Sequence, residues 1–213
     1  MSDNSKNNNL RKALSSIAKL NYINPDDIPN IPLYMDQVTT FMEEQLSSYK
    51  RYPEDKTLTK TMINNYAKNN LIPPPENKKY TKQHMLLLIF IYYFKNFMSI
   101  SDIKSIFDPI SENFFDDSSE IDLTYIYKYI FDLEFEGMNI LVKDVAKKYK
   151  YAEEAFPKTG NDEDDEVLST FALICMLGFD VYVKKLMIET LIDSKKKTAD
   201  ADKKNNKGGP GNV

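Results

Sequence analysis

The chain has 213 residues and a formal net charge of −4, which is long enough for one domain or two small ones. A single cysteine, Cys175, leaves no intramolecular disulfide, and a single histidine, His84, with no Cys/His cluster speaks against a zinc or iron site. All six glycines lie at Gly137 or beyond, so no glycine-rich phosphate loop is present. No nucleophile–histidine–carboxylate set stands out either, and the chain is read as a non-enzyme with no cofactor and no metal.

Residues 1–9 are polar and read as disordered, with no apolar stretch of the kind a secretory signal carries. Residues 10–20 have helical spacing (Leu10, Ala13, Ile17, Leu20), and a proline-punctuated turn region at 24–32 follows. Together, residues 1–33 are expected to form an arm with one short helix. A second helix is expected from about Asp36, which can cap it, with Val38, Phe41, Met42 and Leu46 on one face. Residues 47–57 form a polar loop. The third helix is brief, about 59–69. Thr59 stands at its N-cap, Met62, Ile63 and Tyr66 form its inner stripe, and Lys60, Thr61, Asn64, Asn65 and Lys68 face outward. Asn70 suits the left-handed residue that ends a helix, and Leu71-Ile72-Pro73-Pro74-Pro75 forbids continuation.

A short basic turn at 76–80 leads into a long helix, about 81–97, apolar on nearly every side and therefore central to the core. Its run 85–94 is the longest unbroken apolar segment, short of the roughly 20 residues a membrane-crossing helix needs. The expectation is a cytoplasmic protein with no membrane partner. A serine-capped helix with Ile103, Ile106 and Phe107 buried comes next. Beyond Pro109 the pattern stays helical: 121–135, then 138–149 after Gly137, and an apolar pair at 167–177 and 181–192 separated by Gly178. An acidic linker, 160–166, precedes that pair, and 195–213 reads as a disordered tail. Cys175, inside the apolar stretch, is expected to be a buried small hydrophobe.

Charge is distributed unevenly along this order. Residues 50–82 carry eight basic side chains (Lys50, Arg51, Lys56, Lys60, Lys68, Lys78, Lys79, Lys82) against three acidic ones, whereas 105–194 carry twenty acids against eight bases. A basic binding region joined to an acidic regulatory or oligomerising part would have this pattern.

Residues 58–107 resemble the DNA-binding region of the mercury-resistance-regulator (MerR) family. Leu58-Thr59 stand where that family opens its recognition helix with valine-serine. Met62-Ile63-Asn64-Asn65-Tyr66 occupy the central run, Asn70 the glycine position, and Leu71-Ile72-Pro73 the two aliphatics and proline. Lys78-Lys79-Tyr80 resemble the end of the basic wing. Thr81 caps the long helix, and Met98-Ser99-Ile100 with Ile103 and Ile106 match the last helix. Asn64 and Asn65 replace the family's arginine and first tyrosine, and the wing is shortened. The whole chain also resembles a bacterial family known only as domain of unknown function 1836.

The expected architecture is all-α (mainly helical): a MerR-like winged helix-turn-helix with a minimal wing at 34–108, following the arm at 1–33. An acidic helical domain at 109–194, a C-terminal helical bundle for dimerisation or signal sensing, and the tail at 195–213 complete it. The resemblance implies a transcriptional regulator that binds double-stranded, AT-rich, palindromic DNA as a homodimer, with an effector of unspecified chemistry. Lys60, Thr61, Asn64, Asn65, Lys68, Lys78, Lys79 and Lys82 are the candidate DNA-binding residues. Asparagines can pair bidentately with adenine, and lysines can contact phosphates. Two rival readings stay open: a protein-interaction module with a helix-turn-helix fold but no DNA contact, and a helical small-molecule-binding protein.

Overall fold

A computed structural model describes Ser15, residues 23–116 and residues 120–206, with side chains as far as Lys197. The helix expected over 10–20 lies, Ser15 apart, outside the described residues, as does the end of the tail, 207–213. The molecule is mainly helical. Among the described residues, β1 (Leu33–Tyr34) is followed by α1 (Met35–Leu46), α2 (Lys60–Lys68), β2 (Lys79–Tyr80), α3 (Lys82–Phe94), α4 (Ile100–Phe114), α5 (Leu123–Glu153) and α6 (Asp162–Asn206).

Local chemistry sets the ends of the first helices. Helix α1 starts one residue before Asp36: Tyr34 is its N-cap, and the Tyr34 N–H donates to Gln37 Oε1 at 2.9 Å. Asp36 lies in the first turn, where its negative charge meets the positive end of the helix. Thr59 caps α2 by accepting from the Met62 N–H at 3.2 Å. At the other end Asn70 has φ +53°. The Leu71 N–H donates to the Tyr66 carbonyl at 2.8 Å, and the Asn70 N–H to Ala67 at 3.1 Å, the two bonds of a Schellman stop. Ser99 caps α4 by accepting from the Asp102 N–H at 3.1 Å. That helix runs through Pro109 rather than ending there.

The core forms around α3, where every residue from His84 to Tyr92 is buried. Val38, Met42 and Leu46 of α1, Ile63 and Tyr66 of α2, and Ile103 and Phe107 of α4 close over it. The core does not stop at residue 108, where the sequence reading divides the chain. Ile23, Ile28 and Leu33, assigned to the arm, join it, as do Leu123 and Tyr127 from the first turns of α5. The buried Tyr127 hydroxyl donates to the Ile23 carbonyl at 2.8 Å, joining the two ends of this unit, and burial pushes the phenol pKa well up. Rings from Phe90, Phe131 and Tyr127 pack within 4.2–5.9 Å of one another.

The C-terminal part departs furthest from expectation. Helix α5 continues without a break through Gly137. Helix α6 is one helix through Gly178, beginning inside the expected acidic linker and running to Asn206, well into the expected disordered tail. A single interior glycine costs about 1 kcal/mol, too little to break a helix flanked by Leu, Met, Ala and Lys. No further proline or glycine occurs before Gly208. The two long helices pack against each other, and Val145 and Ala152 of α5 are buried. Near its far end α6 returns to α4, where Ile192 is buried and Lys196 Nζ lies 2.9 Å from Asp102 Oδ1.

Much of α6 is uncovered. Cys175 is exposed rather than buried, because it lies on a side of α6 that α5 leaves uncovered. By length and composition α6 could cross a membrane: an 18-residue window has mean hydropathy 1.7 and is 0% buried. Counting unbroken apolar runs misses this window, since Ser169, Thr170 and Gly178 interrupt it.

Candidate nucleic-acid interface

The amphipathic pattern of α2 divides it cleanly. Ile63 and Tyr66 are buried, Met62 and Ala67 are half-buried, and Lys60, Thr61, Asn64, Asn65 and Lys68 are exposed on the opposite side. No other part of the described chain covers that side. The loop before α2 is held from behind. Lys95 Nζ donates to the Thr57 carbonyl at 2.9 Å while resting on the Tyr92 ring, and burial lowers its pKa. Thr57 in turn donates to Glu43 Oε2 at 2.9 Å.

After the triple proline, Asn77 and Lys78 both adopt left-handed backbone, with φ +50° and +62°. The Lys79 N–H donates to the Glu76 carbonyl at 2.9 Å. This is a two-residue type I′ hairpin turn, the tightest form a wing can take. Beyond it β2 pairs antiparallel with β1, Leu33 opposite Tyr80 and Tyr34 opposite Lys79. The strand that fixes the wing is therefore drawn from the segment before α1. Two residues carry no readable alternation, so sequence analysis missed it.

These contacts bring several candidates together at one end of α1. Lys79 Nζ lies 5.2 Å from the centroid of the exposed Tyr34 ring, and two residues further on Asp36 forms an ion pair with Lys60 at the start of α2. The hairpin and the beginning of α2 thus flank the same helix end. Lys78 is exposed, whereas Lys79 and Lys82 are partly covered. Lys68 lies at the opposite end of α2. Beyond it Lys104 donates to the Asn70 carbonyl at 3.1 Å and pairs with Asp108 at 2.6 Å. Lys104 is a basic group beside the candidate face that the sequence window omitted.

The positive surplus over residues 50–82 is smaller on the surface than in the sequence. Lys50 is bound to Glu43, whose carboxyl is held below the usual carboxylate range by the Lys50 and Thr57 hydrogen bonds. Lys60 is bound to Asp36. Both acids come from α1, outside the window. Arg51, Tyr52 and Lys56 remain exposed in the loop, Arg51 lying 5.2 Å from the Tyr52 ring centroid.

His84 anchors the start of α3. The Thr81 N–H donates to His84 Nδ1 at 3.1 Å, the Thr81 hydroxyl lies 2.8 Å from the same nitrogen, and the Tyr80 and Phe115 rings meet it edge-on. Burial pushes its pKa down to about 4, outweighing the upward pull of the Pro73 and Pro74 backbone. Thr81 is thereby occupied as a cap.

Among the described residues, no group of three or more His, Cys, Asp or Glu side chains is arranged to hold a metal ion. Two spaces between α5 and α6 hold about 10 and 50 Å³. Open surface depressions are larger: about 530 Å³ on α6 beside Val167 and Phe171, about 460 Å³ between Glu43 of α1 and loop residues 57–59, and about 340 Å³ on α1 beside Leu33 and Phe41.

Comparison with curated proteins and with solved structures gave no match. One family model does match, over residues 23–130, which is the stretch from Ile23 through Tyr127 that closes the core. The chain belongs to the family described as Domain of unknown function (DUF1836).

Proposed function

We propose that this chain is a transcriptional regulator of the MerR-like winged helix-turn-helix type. It would bind double-stranded DNA through the exposed side of α2 and the Asn77–Lys78 turn. The observation that carries the reading is the two-sidedness of α2: five adjacent Lys, Thr and Asn side chains lie in solvent while Ile63 and Tyr66 are fixed in the core. A short helix of this kind fits the major groove, where Asn64 and Asn65 can address adenine. Lys60, Lys68, Lys78, Lys79 and Lys82 would contact phosphates, with Thr61 as a further hydroxyl donor. The order helix, loop, short helix, tight hairpin, core helix, capped helix supports the likeness.

A second reading, a protein-interaction module of the same shape, draws support from the Lys60–Asp36 and Lys50–Glu43 pairs, which neutralise part of the basic surface. Fluorescence anisotropy with AT-rich duplexes at two salt concentrations separates the two. Under the regulator reading the double variant Lys60→Ala, Lys79→Ala binds more weakly. It also flattens the plot of log affinity against log salt by up to ~1.8, about 0.9 for each phosphate that the variant no longer neutralises. Unchanged affinity and slope in that variant would reject these residues as the interface. An absence of any salt-dependent binding by the unmodified chain would leave the interaction-module reading.

A further inference from the structure

We infer that the loop between α1 and α2 is a third contact element for double-stranded DNA, its tip at residues 51–56 gripping the phosphate backbone beside the groove that α2 enters. The inference rests on the DNA-binding reading above. It adds a site that the MerR resemblance does not supply, because that resemblance begins at residue 58.

Both shoulders of the loop close on one carboxylate. Lys50 donates to Glu43 Oε1, and the Thr57 hydroxyl donates to Glu43 Oε2 at 2.9 Å, so residues 51–56 stand out as a finger clamped at its base. Lys95 of α3 holds the second shoulder again through the Thr57 carbonyl. Within the finger the Tyr52 N–H donates to Asp55 Oδ2 and the Asp55 N–H to the Tyr52 carbonyl, both at 3.0 Å, which closes a tight turn. Bracing of this kind removes, before any partner arrives, conformational entropy that binding would otherwise cost.

The occupant is argued from charge and position. The tip holds Arg51, Tyr52 and Lys56 in solvent, with the Arg51 guanidinium 5.2 Å from the centroid of the half-exposed Tyr52 ring. Among the described residues neither Arg51 nor Lys56 has an ion-pair partner, whereas Lys50 and Lys60 on either side are taken up by Glu43 and Asp36. Of the two acids in the finger, Asp55 is tied to Tyr52, which leaves two cations against Glu54. A polyanion fits this tip better than a basic or apolar partner. Lys56 also lines the same open depression as Thr59, the cap of α2, and at most ~14 Å of chain separates it from Lys60. A duplex strand carries roughly one phosphate per 3.4 Å of axis, so phosphates flanking the α2 groove fall within that span. Arg51 can hold a phosphate bidentately, Lys56 supplies a point charge, and the Tyr52 hydroxyl is a neutral donor.

Fluorescence anisotropy on the full chain, with AT-rich and scrambled duplexes at several salt concentrations, tests the assignment. Arg51→Ala and Lys56→Ala are each expected to flatten the plot of log affinity against log salt by up to ~0.9, and to weaken binding on the order of eightfold near ~0.1 M salt. The loss is expected to be equal on both duplexes, because phosphates carry no sequence. Tyr52→Ala removes no charge and is expected to weaken binding roughly threefold with the slope unchanged. Lys128→Ala, at an exposed position of α5, removes the same net charge and is expected to alter neither quantity. All four positions are exposed, so circular dichroism should stay constant. If Arg51→Ala and Lys56→Ala keep the unmodified affinity and slope, the inference is overturned; a loss in the Lys60→Ala, Lys79→Ala variant would then show that the DNA reading survives without the loop. Equal losses in Lys128→Ala also overturn it, since net charge rather than contact would set the slope. An unmodified chain without salt-dependent duplex binding overturns both, and leaves an acidic protein surface as the partner of the tip.

Discussion

Lowering the pH from 7 to 5 is expected to destabilise the fold chiefly through His84, the sole histidine of the chain. Folded, it is 3% exposed and its pKa is about 4; unfolded, the value returns to about 6.5. Between those limits the unfolded chain binds a proton that the folded chain does not, so stability rises with pH and is lost as pH falls from 6.5 toward 4. At 1.36 kcal/mol per unit the full loss is about 3 kcal/mol, of which about 2 kcal/mol is already gone at pH 5. Carboxylates held low, such as Glu43 and Asp102, lose their contribution as pH falls from their ordinary values of 4.5 and 3.8 toward the lowered folded ones, so above pH 5 the imidazole dominates. Urea unfolding at pH 7 and pH 5 reads the difference. His84→Gln retains an acceptor for the Thr81 N–H and removes the titration, so it is expected to be less stable at pH 7 but nearly flat across the window. Proton NMR of the imidazole follows the group directly. A wild-type midpoint unchanged between pH 7 and 5, or a His84→Gln variant with the same pH dependence as wild type, would refute the reasoning.

Two further substitutions test other parts of the structure. Asn70→Gly is expected to be neutral or slightly stabilising in thermal melts, and Asn70→Ala to cost about 1 kcal/mol, because only the former relieves the left-handed backbone at φ +53°. Equal effects would mean that the stop of α2 is not left-handed in solution. Asp36→Asn frees Lys60 from an exposed ion pair worth at most ~1 kcal/mol. Stability should hardly change, while DNA affinity under the proposed function should rise and its salt dependence steepen. A fall in affinity would place Asp36 among the contacts instead.

How much of this was legible in the sequence follows from the range of each interaction. The caps at Thr59 and Ser99 and the left-handed stop at Asn70 depend on groups within a few residues, and each reads directly from residue type. The all-apolar α3 likewise announces a core helix. Features built from distant segments did not read. The β1–β2 pair joins residues 33–34 to 79–80. The Tyr127–Ile23 bond reaches across 104 positions, and the acids that answer Lys50 and Lys60 come from α1. For the candidate interface this meant that the outward residues of α2 were identified correctly as exposed, but their net charge was overstated. In the C-terminal part the glycines misled. Gly137 and Gly178 suggested breaks, yet helix strength on either side carried both helices through.

The root of α5 has a mechanical consequence. Because Leu123 and Tyr127 are sealed among the side chains that also hold α2, the helix leaves that unit without a hinge. At 1.5 Å per residue its 31 residues form a rod of about 46 Å, so a tilt of about 5° at the root swings the far end by roughly 4 Å. Conversely, a load on the distant tip arrives as torque on the aromatic packing around Phe90. The rod works as a lever whose fulcrum lies against Phe90 of α3.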